Sequence, residues 1–412
     1  MPVVSIGTAM HESVRDPATA YDLVLPPTIR FGPGRADEIP AVAAGLGRVA
    51  WIVGGRRSLV ASGLLPRLQS GLAAIGLNPR LVATTAGEPT VDQVATAVAG
   101  LPVDERGQTV VVAVGGGAAI DLAKAIAALA TNLPPDTTDF DTAVVDHLEG
   151  VGRGLTIGVP PLPVVAVPTT AGTGAEATRN AVISCPRRRF KKSMRSPLMV
   201  PRAAIVDPLL TVSCDRDTTA ASGLDAITQL VESFVCRFAR PVPRAIALEA
   251  LPRALAALPV AVERPTDVAA RSAMAHAALV SGIALANSGL GMAHGVAAAL
   301  GVECGTPHGL ACAALLPVAV RVNLAAAERD FAILERAVAG DAPAGDRAAA
   351  AAFAARIEAL CDHVGMPRRL RDLGLSRDRV GWLAANSGGT SMRGNPEELD
   401  PTRLTPILAA AY

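Results

Sequence analysis

The chain has 412 residues, more than one hydrophobic core usually organises, so two domains are expected. Half of its residues are apolar but only 3% are aromatic, which suits closely packed helices and buried parallel strands. With 38 Lys and Arg against 37 Asp and Glu, the charge balance gives no reason to expect nucleic acid or an anionic membrane as partner. The six cysteines (Cys185, Cys214, Cys236, Cys304, Cys312, Cys361) form no Cys-x-x-Cys pair and read as small buried apolar residues in a reducing, cytoplasmic setting. Residues 1–16 lack the apolar stretch of a signal peptide, and no run approaches the ~20 consecutive apolar residues of a membrane span.

In chain order, residues 48–53 read as a buried strand closed by Gly54-Gly55. A helix over 58–76, a strand over 78–82 and a helix over 91–100 follow. Residues 109–114 form the clearest strand, apolar on both faces as a central parallel strand requires. Gly115-Gly116-Gly117, a helix over 118–132, a long connection over 132–162 and a proline-bounded strand over 163–168 come next. Strand, turn and helix repeated in this way argue for a parallel sheet covered by helices. After Asp207-Pro208 the pattern turns helical, with helices over 223–235, 243–256, 268–286, 292–300 and 309–324 and no strand candidate. The expected division is an α/β dinucleotide-binding domain over 1–205 and an all-α metal- and substrate-binding domain over 206–412.

Gly115-Gly116-Gly117 lies where a strand meets a helix, whose unpaired N–H groups and positive dipole end suit a phosphate. Alone, three glycines fit a tight turn that binds nothing equally well, and they are not the spaced GxGxxG fingerprint. Residues 168–178 form a second loop rich in hydroxyls and glycines after a strand, and can bind ribose or phosphate, or cap the next helix through Thr173 or Thr178. Two such loops after two parallel strands favour a dinucleotide crevice. His294 and His308 stand 14 residues apart, with a turn over 301–307 able to fold the second helix back beside the first. Asp225 is expected near a helix start at Ser222. One carboxylate and two imidazoles suit zinc or ferrous iron. By spacing alone, two helix-end histidines and a capping aspartate describe these residues better. His11, His147, His276 and His363 have no partner at ligand spacing, and His276 reads as a hydrogen-bonded core residue. The basic run at 187–192 and the pair Arg369 and Arg371 read as solvated faces, with Lys191 able to reach a cofactor.

Taken together these segments resemble the iron-containing (group III) alcohol dehydrogenase family, which includes glycerol dehydrogenases and maleylacetate reductases. The likeness runs from the Leu25-Pro26-Pro27 segment to Gly394-Asn395-Pro396, with Gly115–Lys124 similar to the family's diphosphate loop and 168–176 to its second cofactor loop. Ser222–Gln229, Gly291–His294 and Thr306–Gly309 are similar to its metal segments. The resemblance implies the dehydroquinate synthase-like fold, with a nicotinamide facing a metal between the two domains. It assigns cofactor contacts to Gly116, Gly117, Asp121, Thr169, Thr170, Thr173 and Lys191. Asp225, His294 and His308 become the catalytic metal ligands for Fe²⁺ or Zn²⁺, as in the three-ligand zinc site of the glycerol dehydrogenase branch.

Two positions depart from the pattern. Gln229 replaces the usual fourth ligand, a histidine, so either its amide oxygen or a water fills the place. Ala298 replaces a histidine often assigned to proton relay. Many NAD-preferring relatives carry an Asp at the end of the first strand; here Gly54-Gly55-Arg56-Arg57 stands there, and Arg56 can pair with a 2′-phosphate, which favours NADPH. The expected activity is hydride transfer between NAD(P)H and a small aldehyde, ketone or alcohol by a homodimer or larger homo-oligomer. A dehydroquinate-synthase-like lyase and a metal-free, maleylacetate-reductase-like enzyme are the alternatives.

Overall fold

The computed structural model describes residues 20–412, so the readings of residues 1–16 and of His11 lie outside the described residues. Six parallel strands form one sheet: β1 (Thr28–Phe31), β2 (Val49–Gly55), β3 (Asn78–Thr85), β4 (Thr109–Gly115), β5 (Val164–Pro168) and, after a separate hairpin of β6 (Asn180–Cys185) and β7 (Phe190–Arg195), β8 (Ala203–Val206). Their order across the sheet is β1-β8-β5-β4-β2-β3. The helices of this half are α1 (Ile39–Ala44), α2 (Leu64–Ala74), α3 (Val91–Ala99), α4 (Gly117–Asn132) and α5 (Phe140–Asp146).

The central strands are apolar on both faces because both are covered. Ala50, Ile52, Val110 and Val112 pack with Ile39, Ala43, Leu68 and Leu72 of α1 and α2. Trp51, Val53, Val111 and Ala113 pack on the other side with α3 and α4. The chain leaves β2 for β3 on one side and returns to β4 on the other. The C-terminal ends of β2 and β4 therefore form a switch point, the place where open α/β sheets bind ligands.

Several local expectations are corrected here. The helix expected over 58–76 is interrupted: a π-helical turn over Arg56–Ala61 ends at Gly63, whose φ of 76° suits glycine, before α2 begins. The long connection contains α5, capped where Asp139 accepts from the Thr142 amide. The basic run is half right. Arg187 is 65% exposed and pairs with Asp92 and Asp141, but Lys191, on β7, is only 6% exposed.

The second half is helical: α6 (Arg216–Val235), α7 (Pro241–Glu263), α8 (Val268–Asn287), α9 (Met292–Cys304) and α10 (His308–Asn323), with further helices to Ala410. Asp215 caps α6 by accepting from the Thr218 amide at 2.8 Å, so the helix begins at Arg216, six residues before the expected start at Ser222, and Asp225 lies inside the helix rather than near its end. Helices α7 and α8 are long and apolar enough to cross a membrane by length and composition. Of the most apolar 18-residue stretch of each, 50% and 61% are buried within the protein, where Leu251, Leu258, Met274 and Ala278 pack against Leu224 and Ile227 of α6. The turn expected over 301–307 is shorter: α9 continues to Cys304, and Gly305, with φ 69°, reverses the chain.

Candidate active site

Helix α6 repeats at 3.6 residues, so Asp225, Gln229 and Glu232, spaced four and three apart, share one face. Gly291 opens α9 with no cap of its own; Asn395 Oδ1 accepts from the Met292 amide at 3.0 Å and Glu232 Oε1 from the Ala293 amide at 2.7 Å instead. A Cβ on Gly291 would stand 2.8 Å from Glu232 Oε1 and 2.9 Å from Asn395 Oδ1, so this approach requires glycine. His294 then comes one turn into α9, and its Nδ1 donates to Glu232 Oε2 at 2.7 Å. In the neutral ring that bond leaves Nε2 with its lone pair free to bind a metal, 3.3 Å from Asp225 Oδ1.

His308 is the first residue of α10, after Pro307. It is held against α6 because Gly309 lies beside the Ala221 carbonyl; a Cβ there would be 2.9 Å from that oxygen. His308 Nε2 stands 3.9 Å from Asp225 Oδ1 and 3.7 Å from the Sγ of Cys312, one turn further along α10. The ligand atoms of Asp225, His294, His308 and Cys312 all lie within 4.8 Å of one another.

Both Asp225 oxygens and His294 Nε2 are buried without a hydrogen-bond partner. Leaving a carboxylate so is costly, and removing one partner of a buried ion pair typically costs about 3–5 kcal/mol. Such a cluster fits a divalent cation, which would satisfy all three atoms at once. The charges of the cluster act on one another: burial pushes the His294 imidazole down, but Cys312, Asp225 and Glu232 outweigh it and hold the group well above its ordinary value. Burial pushes the Asp225 carboxyl up, but the imidazoles of His308 and His294 outweigh it and hold the group below its ordinary value. Burial and the nearby Lys191 ammonium push His308 down to about 4, leaving its ring neutral as a ligand must be. Burial pushes the Cys312 thiol up to about 12.

Gln229 is buried on the same face, and its amide oxygen accepts from Ser281 Oγ at 2.7 Å. Glu232, Ser281 and Cys312 were all missed by reading the sequence. The spacing of Glu232 seven residues after Asp225, and of Cys312 four after His308, is the signal that could have found two of them. His147, His276 and His363 lie apart: they bond to the Ala143 carbonyl, Glu249 and Glu263. His276 is hydrogen-bonded as expected but is a third exposed, so it is not a core residue.

The two glycine loops meet at the switch point. A Cβ on Gly115 would lie 2.9 Å from the Gly55 amide, so the approach of β2 and β4 there requires glycine at 115. Gly116 caps α4 without any side-chain bond, leaving the first-turn N–H groups open to an anion. Thr170 lies beside Gly116 and Thr173 over Gly117, with would-be Cβ contacts of 3.4 and 2.3 Å. The Thr169 amide donates to the Gly115 carbonyl at 3.0 Å. Asp121 is turned to the Val182 amide at 2.9 Å and lies 3.3 Å from Lys124 Nζ. Lys191 pairs with Glu88 and sits beside Gly301 of α9. Arg56 has no ion-pair partner among the described residues, whereas Arg57 pairs with Asp215 at 3.3 Å. The second loop rests on the helical half: a Cβ on Gly172 would be 2.8 Å from Ser222 Cβ, and one on Gly174 2.5 Å from the Ala278 carbonyl. The second loop thus lies between the glycine turn and helices α6 and α8, and α6 carries Asp225.

The sequence matches the family models described as iron-containing alcohol dehydrogenase over residues 26–208 and Fe-containing alcohol dehydrogenase family, C-terminal, over 219–412. It is 32% identical over 388 residues to the probable alcohol dehydrogenase EutG of Escherichia coli, covering 94% of this chain and 93% of that protein. The fold is similar to the crystal structure of a 1,3-propanediol oxidoreductase, with a TM-score of 0.87 and 28% identity over 96% of this chain and all, 100%, of that one. It is similar too to sulfoacetaldehyde reductase from Bifidobacterium kashiwanohense in complex with NAD+, with a TM-score of 0.82 and 29% identity over 95% of this chain and 99% of that one. These matches favour an oxidoreductase over the lyase alternative.

Proposed function

Because the chain belongs to the iron-containing alcohol dehydrogenase family, we propose that it reversibly reduces a small aldehyde or ketone with NAD(P)H at a metal held by Asp225, His294 and His308. The observation that carries this reading is the set of orphaned buried donors, Asp225 Oδ1 and Oδ2 and His294 Nε2. A divalent metal bound there acts as a Lewis acid on the carbonyl oxygen, which is worth several kcal/mol of barrier lowering. Glu232 fixes the tautomer and the plane of His294. The open N-terminus of α4, with Gly116 and Gly117, receives the diphosphate, and Thr169, Thr170 and Thr173 line the same passage. Their loop rests on Ser222, three residues before Asp225, which directs the nicotinamide end toward the metal donors. Asp121 acts through the backbone of β6, and Lys191 closes the crevice from β7. Since residue 298 is alanine, proton relay does not run through that position.

NADPH is the preferred cofactor in this reading, because β2 ends in Gly54-Gly55 followed by Arg56-Arg57, with no carboxylate at that turn, and Arg56 has no ion-pair partner among the described residues. The six cysteines form no disulfide among the described residues, which suits a cytoplasmic enzyme. The test is His308→Ala, which should abolish metal retention and carbonyl reduction while dinucleotide binding persists. Reduction at an undiminished rate by metal-free protein would refute a metal-dependent reaction and favour the maleylacetate-reductase-like alternative.

A further inference from the structure

A tetrahedral ion with bonds of about 2.0–2.2 Å to N and O and 2.3 Å to S sets its ligands about 3.3–3.6 Å apart for N and O, and about 3.5–3.6 Å for an N and S pair. The separations in the cluster are 3.3 Å between His294 Nε2 and Asp225 Oδ1, 3.9 Å between His308 Nε2 and Asp225 Oδ1, and 3.7 Å between Cys312 Sγ and His308 Nε2. These three separations are within a few tenths of an ångström of tetrahedral edges, and the remaining three are no more than 4.8 Å, so the sulfur can take a vertex. Cys312 is fully buried, although the His308 side chain beside it is 28% exposed. Gln229 offers a weaker donor, an amide oxygen already engaged by Ser281 Oγ.

We propose that Cys312, not Gln229, supplies the fourth protein ligand, and that the resulting set of two imidazoles, one carboxylate and one thiolate selects zinc over ferrous iron. The proposal rests on the metal-dependent reading above, in which the substrate oxygen would enter as a fifth ligand. The orphaned Asp225 and His294 atoms identify the cavity as an ion site independently of the cysteine. Binding releases the thiol proton to solvent and forms a metal–sulfur bond, with no change of oxidation state. A thiolate is the softer donor and raises the affinity for Zn²⁺ more than for Fe²⁺, which harder oxygen and nitrogen sites hold comparatively well.

The test uses the full chain, stripped of metal and reloaded with Co²⁺ or Zn²⁺. The cobalt form should bind one equivalent and show a thiolate-to-cobalt charge-transfer band in the near ultraviolet. Cys312→Ser should lose the band while still binding cobalt, whereas Gln229→Ala should keep it. Cys312→Ser should also weaken Zn²⁺ binding by at least ~10-fold, since even ligand-supporting partners cost about 10–100-fold. X-ray absorption at the zinc edge of the unaltered protein needs no variant and should show one sulfur at about 2.3 Å. A cobalt form that binds one equivalent without the band, or zinc with only nitrogen and oxygen neighbours, would overturn the assignment and leave the metal-dependent reading standing. Protein that binds neither ion would overturn both.

Discussion

Replacing Glu232 by Gln isolates the support of one metal ligand from the ligands themselves. The carboxylate is 4% exposed and makes two bonds of 2.7 Å, accepting from the Ala293 amide through Oε1 and from His294 Nδ1 through Oε2. An amide of the same size has one acceptor oxygen and one NH₂ group. With the oxygen on Ala293, the NH₂ faces the Nδ1 proton of His294, and the ring is driven to the tautomer that protonates Nε2, the atom meant for the metal. With the amide flipped, the clash moves to the Ala293 N–H and the helix start loosens. Either way the site loses preorganisation, and a loss of about 10–100-fold in metal affinity is expected, equivalent to about 1.4–2.7 kcal/mol. Competition of the protein with a chelator for Zn²⁺ measures it directly. Glu249→Gln is the control, because it breaks a similar histidine contact of 2.9 Å to His276 on the surface and should leave zinc affinity unchanged. Equal zinc affinity in Glu232→Gln and wild type would refute the role given to this carboxylate; an equal loss in both variants would trace the effect to stability instead.

Cofactor choice is read from kcat/KM for NADPH and NADH. Gly55 has an ordinary extended backbone, φ −74° and ψ 134°, and a Cβ there meets only the mobile Ser58 hydroxyl at 2.4 Å, so Gly55→Asp is tolerated. It and Arg56→Ala should each lower the NADPH-to-NADH ratio by roughly 10-fold or more, the value of one charge-assisted bond, and Arg57→Ala should do less because Asp215 holds that side chain. A wild type that prefers NADH would sink this reading. In the second cofactor loop, burial pushes the Glu176 carboxyl up to about 7, and its Oε1 has no partner. The folded state then holds a proton that the unfolded state has released between the ordinary carboxylate range and neutrality, so Glu176 lowers stability as pH rises through that window. Glu176→Gln should raise the Tm near neutral pH, by no more than about 3 kcal/mol in stability, with the gain vanishing in mild acid; a gain that does not change with pH would contradict it.

What the sequence determined alone was whatever is local in the chain. Residues of β2, β4 and β5 are buried on both faces and so read as continuous apolar runs, and the glycines at the switch point mark tight turns wherever they fall. The α/β half, the helical half and the metal segments were legible from such runs and from the family's ordered motifs. Tertiary structure decided the rest, because it depends on which distant groups meet. Strands β1 and β8 have four residues each; β1 is a strand because it pairs with β8, and β8 because it lies between β1 and β5. The basic run at 187–192 enters a hairpin once Arg187 finds Asp92 and Asp141 and Lys191 finds Glu88. Cys312 reads as one more small apolar residue until α10 folds against α6, when its sulfur comes to lie beside Asp225 and two imidazoles. Spacing along a chain sets which residues share a helix face; only the packing of helices sets which faces share a cavity.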